Sequence, residues 1–141
     1  MRLFLDANIL FSAAYRDGNS VELLFVLARA GHCTLLTSVF AVEEARRNIV
    51  AKKPDRLEAL EGLLRQITLT REPTTEGVAA AMKHRVPPKD APILAAAVLA
   101  KADALVTGDR THFGHLYGGE AESVLVLTVA VTLEKITAWA L

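Results

Sequence analysis

Ten consecutive residues, Ala91 to Ala100, carry no polar side chain, and nothing else in the chain restricts its fold as strongly. The run is too short to cross a bilayer and holds Pro92 near its start, so it is not a membrane span. Between Asp90 and Lys101 it predicts a helix apolar on every side, which the rest of a core has to cover nearly all round. A chain of 141 residues supplies one domain with one such core, spanning residues 1–141. With 52% hydrophobic but only 6% aromatic residues, that core is aliphatic, built from Ala, Leu and Val.

The cover has to come from a recurrent pattern in which short apolar runs alternate with longer helical stretches. Leu3–Leu5, Thr34–Thr37, Ile67–Leu69, Ala104–Thr107 and Val124–Leu127 read as strands. Between and after them, helices are expected from Val21 to about Ala30, with Ser20 as N-cap and Gly31 as stop, and from a Ser38 cap to about Lys52. A third starts beyond Pro54, where Asp55 and Glu58 have capping-box spacing and Leu57, Leu60, Leu63 and Leu64 share a face. Glu76–His84 and Val131–Trp139 read as two more. Strands alternating with helices predict βαβ units, hence an α/β fold whose mostly parallel sheet is covered on both faces. The Val21–Ala30 helix has only Glu22 and Arg29 as charges, on one narrow stripe, so either the sheet or a second subunit has to cover it.

Several function classes drop out. Cys33 is the only cysteine, which excludes an intramolecular disulfide and a cysteine-based zinc cage. Asp6 comes too early for the apolar core of a secretory signal, so a cytoplasmic protein is expected. Sixteen basic residues balance sixteen acidic ones, which excludes nucleic-acid binding through bulk positive charge.

In open parallel sheets ligands bind beyond the carboxyl ends of the strands. Acids stand there repeatedly. Asp6 follows the first strand, Asp109 follows Thr107 and Gly108, Glu43 and Glu44 lie in the second turn after the second strand, and Asp90 opens the apolar helix. Each has a plain structural role available: Asp90 before Ala91-Pro92 is a good N-cap, Asp6 and Asp109 suit turns, and Glu43 or Glu44 suits a solvated helix face. Taken together they repel, and burying unpaired carboxylates is costly. A divalent cation relieves that repulsion, and hard oxygen donors with no histidine at fixed spacing favour Mg²⁺ or Mn²⁺ over zinc.

Four segments stand in order along the chain: Leu5-Asp6-Ala7-Asn8-Ile9-Leu10, Thr37-Ser38 through Glu43-Glu44-Ala45-Arg46-Arg47-Asn48, Lys89-Asp90-Ala91-Pro92-Ile93-Leu94-Ala95-Ala96-Ala97, and Leu105-Val106-Thr107-Gly108-Asp109. In this order they resemble the PIN-domain nucleases, specifically the small prokaryotic proteins that include VapC-type toxins. The resemblance implies a three-layer α/β/α sandwich whose acidic pocket holds one or two Mg²⁺ or Mn²⁺ ions and cuts RNA. It assigns the metal-binding acids to Asp6, Glu44, Asp90 and Asp109, with Asn8 and Thr107 as supporting polar residues. It further implies an antitoxin partner, and the apolar Val21–Ala30 helix would serve that partner or a homodimer equally well. Helical phase alone puts Glu43 nearer the apolar side, whereas the spacing from Ser38 matches Glu44 in the family, and Glu44 is taken here.

Two departures stand out. Ala7 occupies a position that is often Thr or Ser, and Arg110-Thr111-His112-Phe113 follows where many members carry another acid, which puts a full second metal site in doubt. His112 reads as an ordinary loop histidine, and Ser38 and Cys33 as structural residues, so the expected nucleophile is a metal-activated water. Local basic patches for RNA are Lys83-His84-Arg85 with Lys89, Arg110 with His112 and His115, and Arg46, Arg47, Lys52 and Lys53. The competing readings are a non-catalytic PIN-like binding module and, third, an aspartate-based phosphohydrolase, whose usual second Asp is Asn8 here.

Overall fold

The computed structural model describes residues 1–140, with side chains through residue 138. Six strands form one sheet: β1 (Arg2–Leu5), β2 (Thr34–Thr37), β3 (Thr68–Leu69), β4 (Ala104–Val106), β5 (Glu120–Ala121) and β6 (Val124–Leu127). Their spatial order is β3-β2-β1-β4-β6-β5, and every neighbouring pair is parallel except β5 with β6. Leu3, Phe4 and Leu5 of β1 and Ala104, Leu105 and Val106 of β4 have no exposed surface, as strands covered on both faces require.

The helices are α1 (Ala7–Tyr15), α2 (Glu22–Arg29), α3 (Val39–Lys52), α4 (Leu57–Leu64), α5 (Thr75–Met82), α6 (Ala91–Leu99), α7 (Arg110–Phe113) and α8 (Val129–Ala140). α1 to α4 lie in crossovers that step outward from β1 through β2 to β3, while α5 and α6 lie in the return from β3 to β4. Right-handed crossovers put these two sets on opposite faces of the sheet. Packing agrees, since α1 meets α3 and α4 while α5 meets α6, and the two sets touch only lightly, through α3 and α6. The result is the expected α/β/α layering. Its lateral progress reverses between β1 and β4, and in such sheets a crevice opens at that point, at the carboxyl ends of the strands.

Local chemistry explains most element ends. Ser38 caps α3 by accepting from the Ala41 N–H at 3.2 Å, which leaves its hydroxyl a structural role. Gly31 ends α2 at φ +86°, a left-handed conformation that side chains resist, and His32 N–H closes the motif on the Leu27 carbonyl. Cys33 is buried, with its thiol directed at the Leu24 carbonyl. Among the described residues no helix is long and apolar enough to cross a membrane.

The structure differs from the sequence reading in several places. α1 starts directly at Ala7, where the sequence reading has only the end of a strand, because Asp6 and not apolar periodicity sets its start. The turn into α2 is held by Asn19, whose Oδ1 accepts from Val21 N–H at 3.0 Å, and not by Ser20. Asp55 and Glu58 form no capping box; residues Pro54–Arg56 make a 3₁₀ turn that leads into α4 without a side-chain cap. α6 is buried over Ile93–Ala97, but Leu99 at its end is 44% exposed. α2 buries Leu24 and Phe25 while leaving Leu23 and Val26 about half exposed, at 51% and 48%.

Candidate active site

β1 delivers Asp6 to the switch point, where its carboxylate has two tasks. Oδ1 accepts from Ala7 N–H at 2.7 Å and so caps α1, and Oδ2 accepts the Thr107 hydroxyl, also at 2.7 Å. The parallel register explains the second contact: Leu5 lies beside Val106, so the residues that follow each strand meet. Thr107 Oγ1 in turn accepts from Asp109 N–H at 3.1 Å, which ties the acid after β1 to the acid after β4 through one buried hydroxyl. Asn8 closes the ring. Its Nδ2 donates to Asp6 Oδ2 at 3.2 Å, and its Oδ1 accepts from Gly108 N–H at 3.0 Å.

Asp109 caps the short α7 by accepting from His112 N–H at 3.1 Å. That turn aims the imidazole back at the acids, with His112 Nδ1 2.8 Å from Asp109 Oδ2 and 3.0 Å from Asp90 Oδ2. One oxygen each of Asp90 and Asp109 and one nitrogen of His112 all lie within 4.8 Å of one another.

Asp90 is the informative residue of this group. The capping role open to it from sequence is absent: its backbone is already in the right-handed helical region, at φ −103° and ψ −16°, and its side chain makes no cap bond. The first-turn donors are already used: the Pro87 carbonyl accepts Asp90 N–H and Ala91 N–H at 2.9 Å, Pro92 has no N–H, and the Asp90 carbonyl accepts Ile93 N–H at 3.0 Å. The carboxylate is left free, and its buried Oδ2 receives no hydrogen bond of proper geometry in spite of the nearby imidazole. Burial raises its pKa, with a smaller push from Asp109, against the pull of His112 and Lys89.

Asp6 is only 5% exposed, and burial is the main cause that lifts its pKa from 3.8 to about 6. The Thr107 and Ala7 hydrogen bonds oppose that rise, while the charges of Glu44 and Asp90 add to it. Glu44 is half-buried on α3 and its charge reaches Asp6; Glu43 is exposed and its charge is felt by Arg46. The geometry therefore gathers Asp90 and Asp109 closely and links Asp6 to Asp109 through Thr107, while Asp6 and Glu44 stand outside the close group of Asp90, Asp109 and His112 and are coupled to it by charge: Asp6 feels both Glu44 and Asp90.

Two residues stand closer to the acids than their sequence suggests: His112, which reads there as an ordinary loop histidine, and Tyr117, which nothing there singles out. His112 stands one turn after Asp109, the spacing of a capped first turn, and that was the available signal. Tyr117 donates its hydroxyl to the Thr107 carbonyl at 2.9 Å, and burial with the charges of Asp109 and Asp6 pushes its pKa up. No spacing from the motifs marks it. The proposed third basic patch is largely engaged within the chain: Arg46 pairs with Glu61 at 2.6 Å, and Lys52 and Lys53 lie over the rings of Phe11 and Tyr15. His115 is held on the His84 carbonyl at 2.7 Å, whereas Lys89 and Arg110 beside the acids are exposed.

Comparison with solved structures finds the same fold at low sequence identity. A chain of VapBC2 from Rickettsia felis, bound to a DNA fragment from their promoter, superposes with a TM-score of 0.66 at 18% identity, covering 91% of this chain and 98% of that one. PAE2754 from Pyrobaculum aerophilum gives 0.65 at 15%, covering 98% and 96%, and VapBC-1 from nontypeable Haemophilus influenzae gives 0.60 at 14%, covering 92% and 99%. Comparison of the sequence with curated proteins gives no match. A family profile described as PIN domain matches residues 2–111. On a match over most of its 141 residues, the chain belongs to the PIN domain family.

Proposed function

We propose that this chain, as one domain over residues 1–141, is a divalent-metal-dependent endoribonuclease of the toxin–antitoxin type, acting in the cytoplasm. The observation that carries the reading is Asp90: a buried carboxylate oxygen with no hydrogen-bond donor of its own, beside Asp109, with its charge felt at Asp6 together with that of Glu44. An acidic group of this kind, with an unsatisfied oxygen and hard donors, fits Mg²⁺ or Mn²⁺. Asp6, Glu44, Asp90 and Asp109 would hold the ion. A cation bound there supplies polarisation of a phosphodiester oxygen and a water acidic enough to attack it at neutral pH.

The chain's own residues do the rest. Thr107 and Asn8 keep Asp6 in one orientation, so the acid is in place before a substrate arrives. Lys89 and Arg110, exposed at the rim, take phosphates of a single RNA strand, which is how a chain without net charge binds it locally. Relatives of similar fold are named VapBC2 and VapBC-1. The half-exposed Leu23 and Val26 of α2 offer an apolar face suited to an antitoxin segment or to the second copy of a homodimer.

Asp90→Asn tests the reading. Asn caps a helix as well as Asp does, and this residue does not cap, so the metal-free variant should be no less stable than the parent. Cleavage of a labelled RNA and stabilisation by Mn²⁺ should both fall sharply. Unchanged cleavage, or cleavage that persists in a chelator, would overturn the assignment; metal binding without cleavage would favour a binding module.

A further inference from the structure

We propose that His112 is itself a metal-ligating residue, with Nδ1 completing a three-donor face with Asp90 Oδ2 and Asp109 Oδ2 that makes the site prefer Mn²⁺ to Mg²⁺. The inference rests on reading these acids as a cation site and adds a nitrogen donor to it. His112 Nδ1 stands 2.8 Å from Asp109 Oδ2 and 3.0 Å from Asp90 Oδ2. Two donors on adjacent corners of an octahedron with bonds of about 2.1 Å are about 3.0 Å apart. The ring thus already keeps both nitrogen–oxygen separations that adjacent donors adopt around a single small ion, with the two oxygens within 4.8 Å of each other.

The ring is also held there. Asp109 Oδ1 accepts from His112 N–H at 3.1 Å, so the same residue that contributes one donor fixes the backbone that carries another. A single Nδ1 proton directed at Asp109 Oδ2 leaves Asp90 Oδ2 without a hydrogen bond, as found. Replacing that proton with a divalent ion satisfies all three atoms together. Imidazole nitrogen suits transition-metal ions, whereas Mg²⁺ takes oxygen and keeps its waters, so the added donor discriminates between the two ions that fit an all-oxygen site.

The test compares the full chain with its His112→Leu variant by calorimetric titration of Mn²⁺ and of Mg²⁺, with pulsed electron paramagnetic resonance of bound Mn²⁺. The parent should show histidine-nitrogen coupling to Mn²⁺. The variant should lose that coupling and about tenfold or more of its Mn²⁺ affinity, with Mg²⁺ affinity changed less than about threefold. Mn²⁺ bound to the parent without nitrogen coupling would overturn the proposal independently of how the variant folds. So would equal losses for both ions, or tighter binding of both in the variant, which would make the ring a competitor for the acids. In each of those cases the cation site itself would stand. Failure of the parent to bind either ion at millimolar concentration would instead remove the cation site, and this proposal with it.

Discussion

Asp6 should make the metal-free protein less stable as pH rises, the opposite of the usual behaviour of a paired carboxylate. Its pKa is 3.8 ordinarily and about 6 when folded, so the folded chain holds a proton that the unfolded chain has released. The sign follows: the contribution is fully present below pH 3.8 and is lost as pH rises through about 6. At 1.36 kcal/mol per pKa unit the whole contribution is about 3 kcal/mol, of which about 2 kcal/mol falls between pH 4.5 and 7.5. Urea unfolding in a chelator at those two pH values, for the parent and for Asp6→Asn, isolates it. The variant keeps the size of the side chain and an oxygen for the Ala7 N–H, and it cannot ionise. The parent should lose about 2 kcal/mol more than the variant over this interval, and a carboxyl carbon resonance of Asp6 should titrate with a midpoint near 6. Parallel pH dependence in the two proteins, or a midpoint near 4, would refute the burial argument.

Thr107→Val removes the hydroxyl that donates to Asp6 and accepts from Asp109 N–H. It should destabilise the chain by about 1–3 kcal/mol in urea, because two buried polar groups lose a partner, and should raise the Asp6 midpoint further. Ser38→Ala removes the α3 cap and should cost about 1 kcal/mol by the same measurement, without affecting metal binding.

The order of the elements and the acids at the strand ends were legible because their causes are local. Leu3–Leu5 and Ala104–Val106 are apolar without alternation, which only strands buried on both faces tolerate. Ser38 announces a helix by its own side chain. α1 was not legible: Asp6 both ends a strand and caps a helix, and apolar periodicity detects neither task. Asp90 is the converse case, because its sequence offers a capping role beside the metal-binding one and the structure leaves the cap unused. A residue with every local mark of an N-cap is left without a donor to cap, because Pro92 has no N–H and the Pro87 and Asp90 carbonyls take those of Ala91 and Ile93, and only the tertiary structure shows where those carbonyls point.

From the residues alone it is determined that a neutral, aliphatic, cysteine-poor chain builds a covered parallel sheet with carboxylates beyond its strands. The tertiary structure decided which carboxylates meet. β1 and β4 are adjacent in the sheet although Asp6 and Thr107 are 101 residues apart, and that adjacency lets one threonine hydroxyl join Asp6 to the backbone of Asp109. The same placement lets the charge of Glu44 reach Asp6 and brings His112 within reach of both Asp90 and Asp109. Helical phase and strand alternation describe neighbours along the chain. The approach of two strand ends depends on the path of the crossovers, which no local pattern contains.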